Sequence, residues 1–321
     1  MNKMWSMLIH LGTNLWYEEG NTNGGGGRVW KSPASDTLRF DRDTFYRYLD
    51  TLRCEGVNTV ILDVAEGLRY ESHPELVVNG SYTHAEMREM LDYMRSLGFS
   101  VIPKLNFSTC HDIWLREYSY MVSTPTYYAV CRDLITEVCK LFDAEYMHLG
   151  MDEENYPNQH LYDYAVVRQN DLWWHDLLFL VDCVEKCGAR AMMWSDYARH
   201  RPDEFLRRIP KSVVQCNWYY FNRYADDYTT LDEEALIRVR PFHLFAEAGI
   251  DQLATGSSEY NAYCITEMAK YLAEKIDNTH LLGFMQTTWS ETTAEREEEL
   301  LTSAKQLGDA KRIYESIVAK K

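Results

Sequence analysis

The sequence predicts a single-domain α/β protein folded as a (β/α)8 TIM barrel. Short apolar runs alternate along the chain with stretches of helical periodicity, which is typical of a parallel sheet built from βαβ units. The chain has 321 residues, of which 46% are hydrophobic, and a barrel of this kind needs roughly 250 residues. No low-complexity linker divides the sequence, so we expect one domain over residues 1–321. An open, doubly wound sheet is the alternative.

Eight apolar runs are the predicted strands, because parallel strands buried on both faces are continuously apolar. They are Met4–His10, Thr59–Val64, Ser100–Asn106, Tyr146–Met151, Arg190–Ser195, Val213–Asn217, Gly249–Thr255 and Leu281–Thr287. The seventh run has the weakest pattern.

Helix start signals stand between these runs. Thr83 is followed three residues later by Glu86, and Thr292 by Glu295, so each pair predicts a capping box at a helix N-terminus. Asp41 is predicted to cap the first helix.

The charge of the chain argues against polyanionic partners. The formal net charge is -16, whereas nucleic acids and anionic membranes attract clustered Lys and Arg. No run of roughly 18 apolar residues predicts a membrane span. The first ten residues are too short and too polar for a secretory signal, so we expect a cytoplasmic location. The acidic surface permits a homodimer, although no sequence feature requires one.

Neither a cofactor nor a metal is expected. The four consecutive glycines at 24–27 lack the flanking pattern of a nucleotide-binding loop and predict a mobile connection. The eight cysteines form no C-x-x-C pair and are interpreted as reduced, mostly buried thiols. No H-x-H or H-E-x-x-H spacing supports a metal site.

Polar and aromatic residues collect at the predicted C-terminal ends of the strands, where barrels place their active sites. Carboxylates, amides and indoles are what a sugar requires, since they supply hydrogen bonds to hydroxyls and flat faces for the ring. The candidates are Asp63, Asn106, His111, His148, Asp152, Glu153, Trp194, Asp196, Trp218, Tyr219, Tyr220, Trp289 and Glu291.

The stretch from Tyr146 to Asn155 is the most informative. An apolar strand leads directly into Asp152, Glu153 and Glu154. Crowded carboxylates raise at least one pKa, and a raised pKa is what a general acid needs near neutral pH. Because neighbouring strand residues point to opposite faces, both carboxylates can reach one ligand only if the chain turns at Asp152.

This stretch resembles the family 20 glycoside hydrolases, the β-N-acetylhexosaminidases, whose strand four ends in His-x-Gly-Gly-Asp-Glu. Here the motif is His148-Leu-Gly-Met-Asp-Glu153. Further segments are similar in the same order over most of the chain. They are Tyr82-Thr83, Val101-Ile-Pro103, His111, Met193-Trp-Ser-Asp196, Val213-Val-Gln-Cys-Asn-Trp218 and Trp289-Ser-Glu291.

The resemblance implies a substrate-assisted reaction, an exception to the usual pair of catalytic carboxylates. Glu153 would be the acid and base, and Asp152 would orient the 2-acetamido group of the sugar. Tyr219 or Tyr220 would donate a hydrogen bond to the acetamido oxygen, and Glu291 would bind hydroxyl groups. The aromatic walls would be Trp194, Trp218 and Trp289.

The sequence departs from the family pattern in three respects. Met151 replaces the second glycine of the motif, and Thr13, Asn14 and Leu15 stand where the family has a sugar-binding arginine. We expect no counterpart in these residues of the small domain that precedes the barrel in the family. Arg28 and Arg69 are candidates to replace the missing arginine.

Several candidates have a structural interpretation as well. His148 is favoured as a buried histidine near the acid over a metal ligand, and His111 is equally compatible with the site or a loop. Asp63 and Glu66 belong either to the rim or to an ion pair with Arg69.

Three functions remain open besides a metal-dependent hydrolase, which loss of activity with a chelator would reveal. The first is an exo-acting β-N-acetylhexosaminidase. The second is a glycosidase for another sugar, in which Asp196 or Glu291 acts as a nucleophile opposite Glu153. The third is a carbohydrate-binding protein without turnover.

Overall fold

The structure, a computed structural model, describes residues 3–18, 32–159, 165–259 and 261–321. Eight parallel strands close into a barrel in chain order. They are β1 (Met4–His10), β2 (Thr59–Asp63), β3 (Ser100–Lys104), β4 (Tyr146–His148), β5 (Arg190–Trp194), β6 (Val214–Trp218), β7 (Gln252–Ser257) and β8 (Leu281–Thr287). The predicted TIM barrel is confirmed.

Helices surround the barrel. The described residues form α1 (Arg42–Cys54), α2 (His84–Ser96), α3 (Pro125–Phe142), α4 (Tyr156–Gln159), α5 (Asn170–Lys186), α6 (Asp196–His200), α7 (Pro202–Arg208), α8 (Glu233–Ala248), α9 (Cys264–Lys275) and α10 (Glu297–Val318). In this part of the chain, no helix is long and apolar enough to cross a membrane.

The helix caps follow their predictions at two of three positions. The Asp41 carboxylate accepts from the backbone N–H of Thr44, and Thr83 and Glu86 form a complete capping box. The predicted box at Thr292 is wrong, because the Thr292 hydroxyl donates to the His10 carbonyl instead. The last helix begins only at Glu297, without a side-chain cap.

Two predicted strand bounds fail for a conformational reason. The fourth strand stops at His148 because Gly150 and Met151 have left-handed backbones, with φ of 75° and 69°. The seventh cannot include Gly249, which ends α8 in the left-handed conformation with φ of 65°. Left-handed residues break the extended geometry that a strand requires.

The barrel interior changes from apolar to charged towards the C-terminal ends of the strands. Leu8, Ile61 and Ile102 are in register in the apolar layer. Two residues further along, His10 pairs with Asp63, Asp63 with Lys104, and Lys104 with His148. This buried layer of four polar side chains lies directly below the candidate site.

The charged layer is internally neutralised. Lys104 and Asp63 are fully buried and form a close ion pair, and His10 Nδ1 lies 3.4 Å from Asp63 Oδ2. Burial opposes ionisation of Asp63, but Lys104 and His10 outweigh it and lower its pKa. The predicted pairing of Asp63 with Arg69 is wrong, since Arg69 donates to the Ser81 carbonyl.

All eight cysteines are free, and six of them are buried. Their burial agrees with the interpretation as mostly buried thiols.

Candidate active site

A cavity of about 330 Å³ opens at the C-terminal ends of the strands. It is bounded by predicted site residues and by several that were not predicted. Its walls are Leu15, Trp16, Asn106, His111, Asp152, Glu153, Trp194, Trp218, Tyr220, Phe221, Glu234, Arg238, Glu259 and Trp289.

The backbone after β4 turns sharply, and this turn brings two consecutive carboxylates to one cavity. Gly150, Met151 and Glu153 all have positive φ, of 75°, 69° and 52°. Two non-glycine residues in this conformation are a sign of stored backbone strain, which clusters at functional sites. Side chains alternate between the two faces of a strand, so Asp152 and Glu153 can face one cavity only if the chain turns here. The positive φ values provide this turn.

Gly150 is required by a close approach as well as by its φ. A Cβ atom at this position would lie 1.9 Å from Oδ1 of Asn106. That amide donates from its Nδ2 to Oδ1 of Asp152 at 3.3 Å. The hydroxyl of Ser108 donates to the Asp152 carbonyl, so the loop after β3 supports the turn from below.

One imidazole contacts both carboxylates. Nδ1 of His111 lies 3.2 Å from Oδ1 of Asp152, and its Nε2 lies 3.7 Å from Oε2 of Glu153. The exposed fractions differ: the Asp152 side chain is 9% exposed and that of Glu153 is 38%. Asp152 is thus the inner carboxylate, and Glu153 is the one that an entering ligand meets.

The surroundings of Asp152 lower its pKa, whereas crowding of like charges would raise it. Burial alone would raise its pKa, but His111, Lys104 and the Asn106 amide together hold the pKa well below its ordinary value. Asp152 is therefore a fixed anion. The raised pKa occurs instead at Asp196, which burial takes to about 6 against the opposing effect of Arg199.

Aromatic side chains form most of the remaining wall. The rings of Trp194 and Trp289 have centroids 5.8 Å apart, and those of Trp218 and Tyr220 are 4.9 Å apart. Nε1 of Trp289 donates to the Tyr220 hydroxyl at 3.1 Å. Nε1 of Trp218 donates to Oδ2 of Asp196 at 2.9 Å, which fixes that indole at the edge of the cavity.

Five predicted site residues do not line this cavity: Asp63, His148, Asp196, Tyr219 and Glu291. His148 is fully buried, packs against Trp194 with ring centroids 4.6 Å apart, and accepts from the Gly150 N–H. Its pKa is lowered to about 3, first by burial and then by Lys104. Asp63 belongs to the charged layer. Tyr219 is buried and its hydroxyl donates to the Arg223 carbonyl, so Tyr220 is the tyrosine that faces the cavity.

Glu291 makes an ion pair that the sequence did not predict. Its Oε1 lies 2.9 Å from Nε of Arg39. Arg28 lies outside the described residues, as do the glycines at 24–27, and Arg69 is engaged elsewhere. Among the described residues, Arg39 is therefore the arginine that forms an ion pair with Glu291. No local pattern marks it, because its partner is 252 positions away in the sequence.

Glu66 is a buried structural carboxylate. It accepts from the backbone N–H groups of Thr13 at 2.7 Å and Asn14 at 3.0 Å. Burial raises its pKa to about 7 despite these hydrogen bonds. Glu66 thereby fixes the segment after β1.

A buried guanidinium next to the turn after β4 was not predicted from the sequence. Arg168 contacts Glu154 closely through Nη2, Asp176 at 3.2 Å through Nη1, and the Phe107 carbonyl at 2.7 Å. Its side chain is 1% exposed. It connects the loops after β3 and β4 to α5. The sequence contains one indication of this ion pair. Glu154 is the third consecutive acid after β4, and a buried carboxylate requires a cation.

Among the residues described, no three His, Cys, Asp or Glu side chains are placed to hold a metal ion. The chemistry available at this site is that of carboxylates, one imidazole and aromatic faces.

Comparison with solved structures shows a shared fold. The β-N-acetylhexosaminidase from Bacteroides fragilis aligns with a TM-score of 0.61 and 14% identity over 95% of this chain and 65% of that one. The exo β-N-acetylglucosaminidase from Vibrio harveyi, in complex with N-acetylglucosamine, gives 0.62 and 14% over 99% and 58%. The β-N-acetylhexosaminidase from Streptomyces coelicolor gives 0.62 and 14% over 96% and 64%. The chain thus spans 58–65% of the length of these proteins, and identity this low supports the fold alone.

The sequence comparison is more specific. A comparison with curated protein sequences gave no match. A model of the glycosyl hydrolase family 20 catalytic domain matches residues 108–302, which include His111, the turn with Asp152 and Glu153, and Glu291. The matched segment is more than half of the 321 residues, and the chain belongs to glycosyl hydrolase family 20.

Proposed function

We propose that the protein is an exo-acting β-N-acetylhexosaminidase that retains configuration by substrate-assisted catalysis. The observation that carries the proposal is the pair of consecutive carboxylates in one cavity, one a buried anion and the other exposed to the ligand. Family membership makes a glycoside the substrate class.

The first step assigns different roles to the two carboxylates. The carbonyl oxygen of the 2-acetamido group attacks the anomeric carbon and forms an oxazolinium ring. The bond to the leaving oxygen breaks as Glu153 gives that oxygen a proton. Positive charge develops on the acetamido nitrogen, and the Asp152 anion stabilises it and holds the group in position.

The second step uses the same residues in reverse. Glu153, now a carboxylate, takes a proton from water, and this water attacks the anomeric carbon. The oxazolinium ring opens and the acetamido group is restored. His111 keeps the two side chains in place throughout, because it contacts both.

The rest of the cavity supports recognition of an N-acetyl sugar. Trp194, Trp218 and Trp289 offer flat faces for the ring and the acetamido methyl group. The Tyr220 hydroxyl accepts from Trp289 and lies in the cavity wall, where it is proposed to bind the acetamido oxygen. The ion pair of Arg39 with Glu291 is proposed to bind sugar hydroxyls in place of the arginine that the sequence lacks after β1.

Fluorination of the acetamido group tests the assisted mechanism. Aryl glycosides with acetamido, monofluoroacetamido and trifluoroacetamido groups differ mainly in how strongly the carbonyl oxygen can attack. We expect kcat to fall steeply along this series. A kcat that is insensitive to fluorination, together with a covalent glycosyl-enzyme trapped by a fluorosugar, would favour a protein nucleophile instead.

A further inference from the structure

A second cavity of about 430 Å³ adjoins the first. Glu153, Trp218 and Arg238 line both cavities. The second one extends from the catalytic turn towards α6 and the start of α5, and it is also lined by Asp196 and Arg199.

The second cavity adjoins Glu153, the proposed general acid, and this position indicates which part of the substrate it would bind. A general acid must lie within hydrogen-bond reach of the oxygen that it protonates. The sugar that is cleaved occupies one side of that oxygen, and the leaving group occupies the other. If the aromatic cavity takes the N-acetyl sugar, the space on the other side of Glu153 receives the leaving group.

Four arginines and three carboxylates, Glu153, Glu154 and Asp196, line the second cavity. Arg168, Arg199, Arg201 and Arg238 all contribute to it, in a chain whose net charge is -16. The Arg199 side chain is 4% exposed, and its guanidinium carbon lies 3.6 Å from the ring centroid of Trp218. The Nε atoms of Arg199 and Arg238 are buried and have no hydrogen-bond partner among the described residues.

The carboxylates that pair with Arg199 and Arg238 lie at long distances from them. Asp196 lies 3.5 Å from Nη1 of Arg199 and also accepts from Trp218. Glu234 lies 3.8 Å from Nη1 of Arg238 but is bound more closely by Arg223, at 2.6 Å.

The other two arginines are held by partners of their own. Arg168 forms a close ion pair with Glu154, and Nη1 of Arg201 lies 3.5 Å from Oε2 of Glu204. Burial and the charge of Arg238 both lower the pKa of Arg199, as expected for two cations held close together.

We propose that this second cavity is a leaving-group subsite for a sugar that carries an anionic group, either a carboxylate or a sulfate ester, bound by Arg199 and Arg238. A guanidinium presents two parallel N–H donors to such an oxyanion. The inference rests on the proposed glycosidase function, and it adds the chemical class of the leaving group to it.

The test compares disaccharides that differ in one substituent. The probes are β-GlcNAc-(1→4)-glucose, the same disaccharide with glucuronate, and the same disaccharide with glucose 6-sulfate. We expect kcat/KM of the wild-type protein to be roughly 10- to 100-fold higher for at least one anionic probe than for the neutral one, since hydrogen bonds to charged groups contribute more than neutral ones.

Two variants and a control assign the preference to the cavity. Arg238→Gln and Arg199→Gln should bring the ratio of anionic to neutral kcat/KM close to one. Arg207→Gln removes the same charge from an exposed position on α7 and should leave the ratio unchanged. Thermal unfolding of each variant checks that it is folded.

The outcomes separate the inference from the function on which it rests. Turnover of all three probes at similar rates would overturn the anionic subsite and leave the glycosidase proposal intact. A preference that survives both cavity variants would also overturn it. Turnover of none would overturn the proposed function together with the subsite, whereas a preference for the uronate or the sulfate alone identifies which anion fits.

Discussion

Nδ1 of His111 lies 3.2 Å from Oδ1 of Asp152, in a pair of side chains that are 7% and 9% exposed. The contact matters because it keeps a buried carboxylate ionised, and because the opposite nitrogen of the same ring lies 3.7 Å from the Glu153 carboxylate. A single imidazole thus sets the relative position of the two groups proposed to act in catalysis.

Asp152→Asn should reduce kcat on an aryl β-N-acetylglucosaminide by roughly a hundredfold or more, because the amide cannot stabilise a developing positive charge. Asp92→Asn is the matched control, since that carboxylate is 78% exposed on α2. Steady-state kinetics of the three proteins measure the effect. Wild-type kcat in the Asp152 variant would show that the acetamido group is not assisted by this residue.

Gly150→Ala should impair both stability and activity. Its methyl group would lie 1.9 Å from Oδ1 of Asn106, the amide that positions Asp152. Gly98→Ala has a similar backbone, with φ of 92°, but no atom within 4 Å of the added Cβ. The control should therefore lose only about 1 kcal/mol from backbone strain, and the Gly150 variant roughly 1–3 kcal/mol more from the clash.

Urea unfolding of both glycine variants gives the comparison, and kcat gives the effect on the turn. Equal losses of stability in the two variants would mean that Asn106 moves aside without cost.

Much of this could be predicted from the sequence, and the failures have a physical pattern. Strand order, the barrel and the Asp152–Glu153 turn follow from local features: apolar runs, a capping residue and a motif of six consecutive residues. The partner of Arg39 could not be predicted, because that contact joins segments 252 positions apart that only the folded barrel brings together. The lowered pKa of Asp152 could not be predicted for the same reason: Lys104 and His111, which lower it, belong to another strand and its loop.

Arg168→Met should destabilise the protein by roughly 3–5 kcal/mol, since it leaves Glu154 and Asp176 buried without their cation. Arg132→Met is a control at a side chain that is 55% exposed and should change stability by less than about 0.5 kcal/mol. The free energy of unfolding in urea distinguishes the two. A loss below about 1 kcal/mol for the Arg168 variant would show that this ion cluster is not important for stability.

The raised pKa of Asp196 predicts that the stability of the folded protein depends on pH. Its pKa in the folded protein is about 6, above the ordinary value of 3.8. The folded state therefore binds the proton more tightly than the unfolded state, so this group favours folding at low pH, and its contribution is lost as the pH rises through 6.

The side chain introduced by Asp196→Asn cannot ionise. The free energy of unfolding of this variant, relative to that of the wild type, should therefore increase by roughly 1–3 kcal/mol between pH 4 and pH 7. Thermal unfolding of both proteins across this range measures the difference. A difference that is independent of pH, or that decreases as the pH rises, would mean that Asp196 is ionised at ordinary pH values in the folded protein.

The most direct test of the central claim is hydrolysis of four aryl glycosides: β-GlcNAc, β-GalNAc, β-Glc and β-Gal. Glu153→Gln is the control, because it preserves the shape of the proposed acid and removes its proton. We predict turnover of one or both N-acetyl sugars by the wild type, none of the plain sugars, and a loss of activity in the variant. Turnover of β-Glc or β-Gal, or full activity without the Glu153 carboxyl group, would contradict the account.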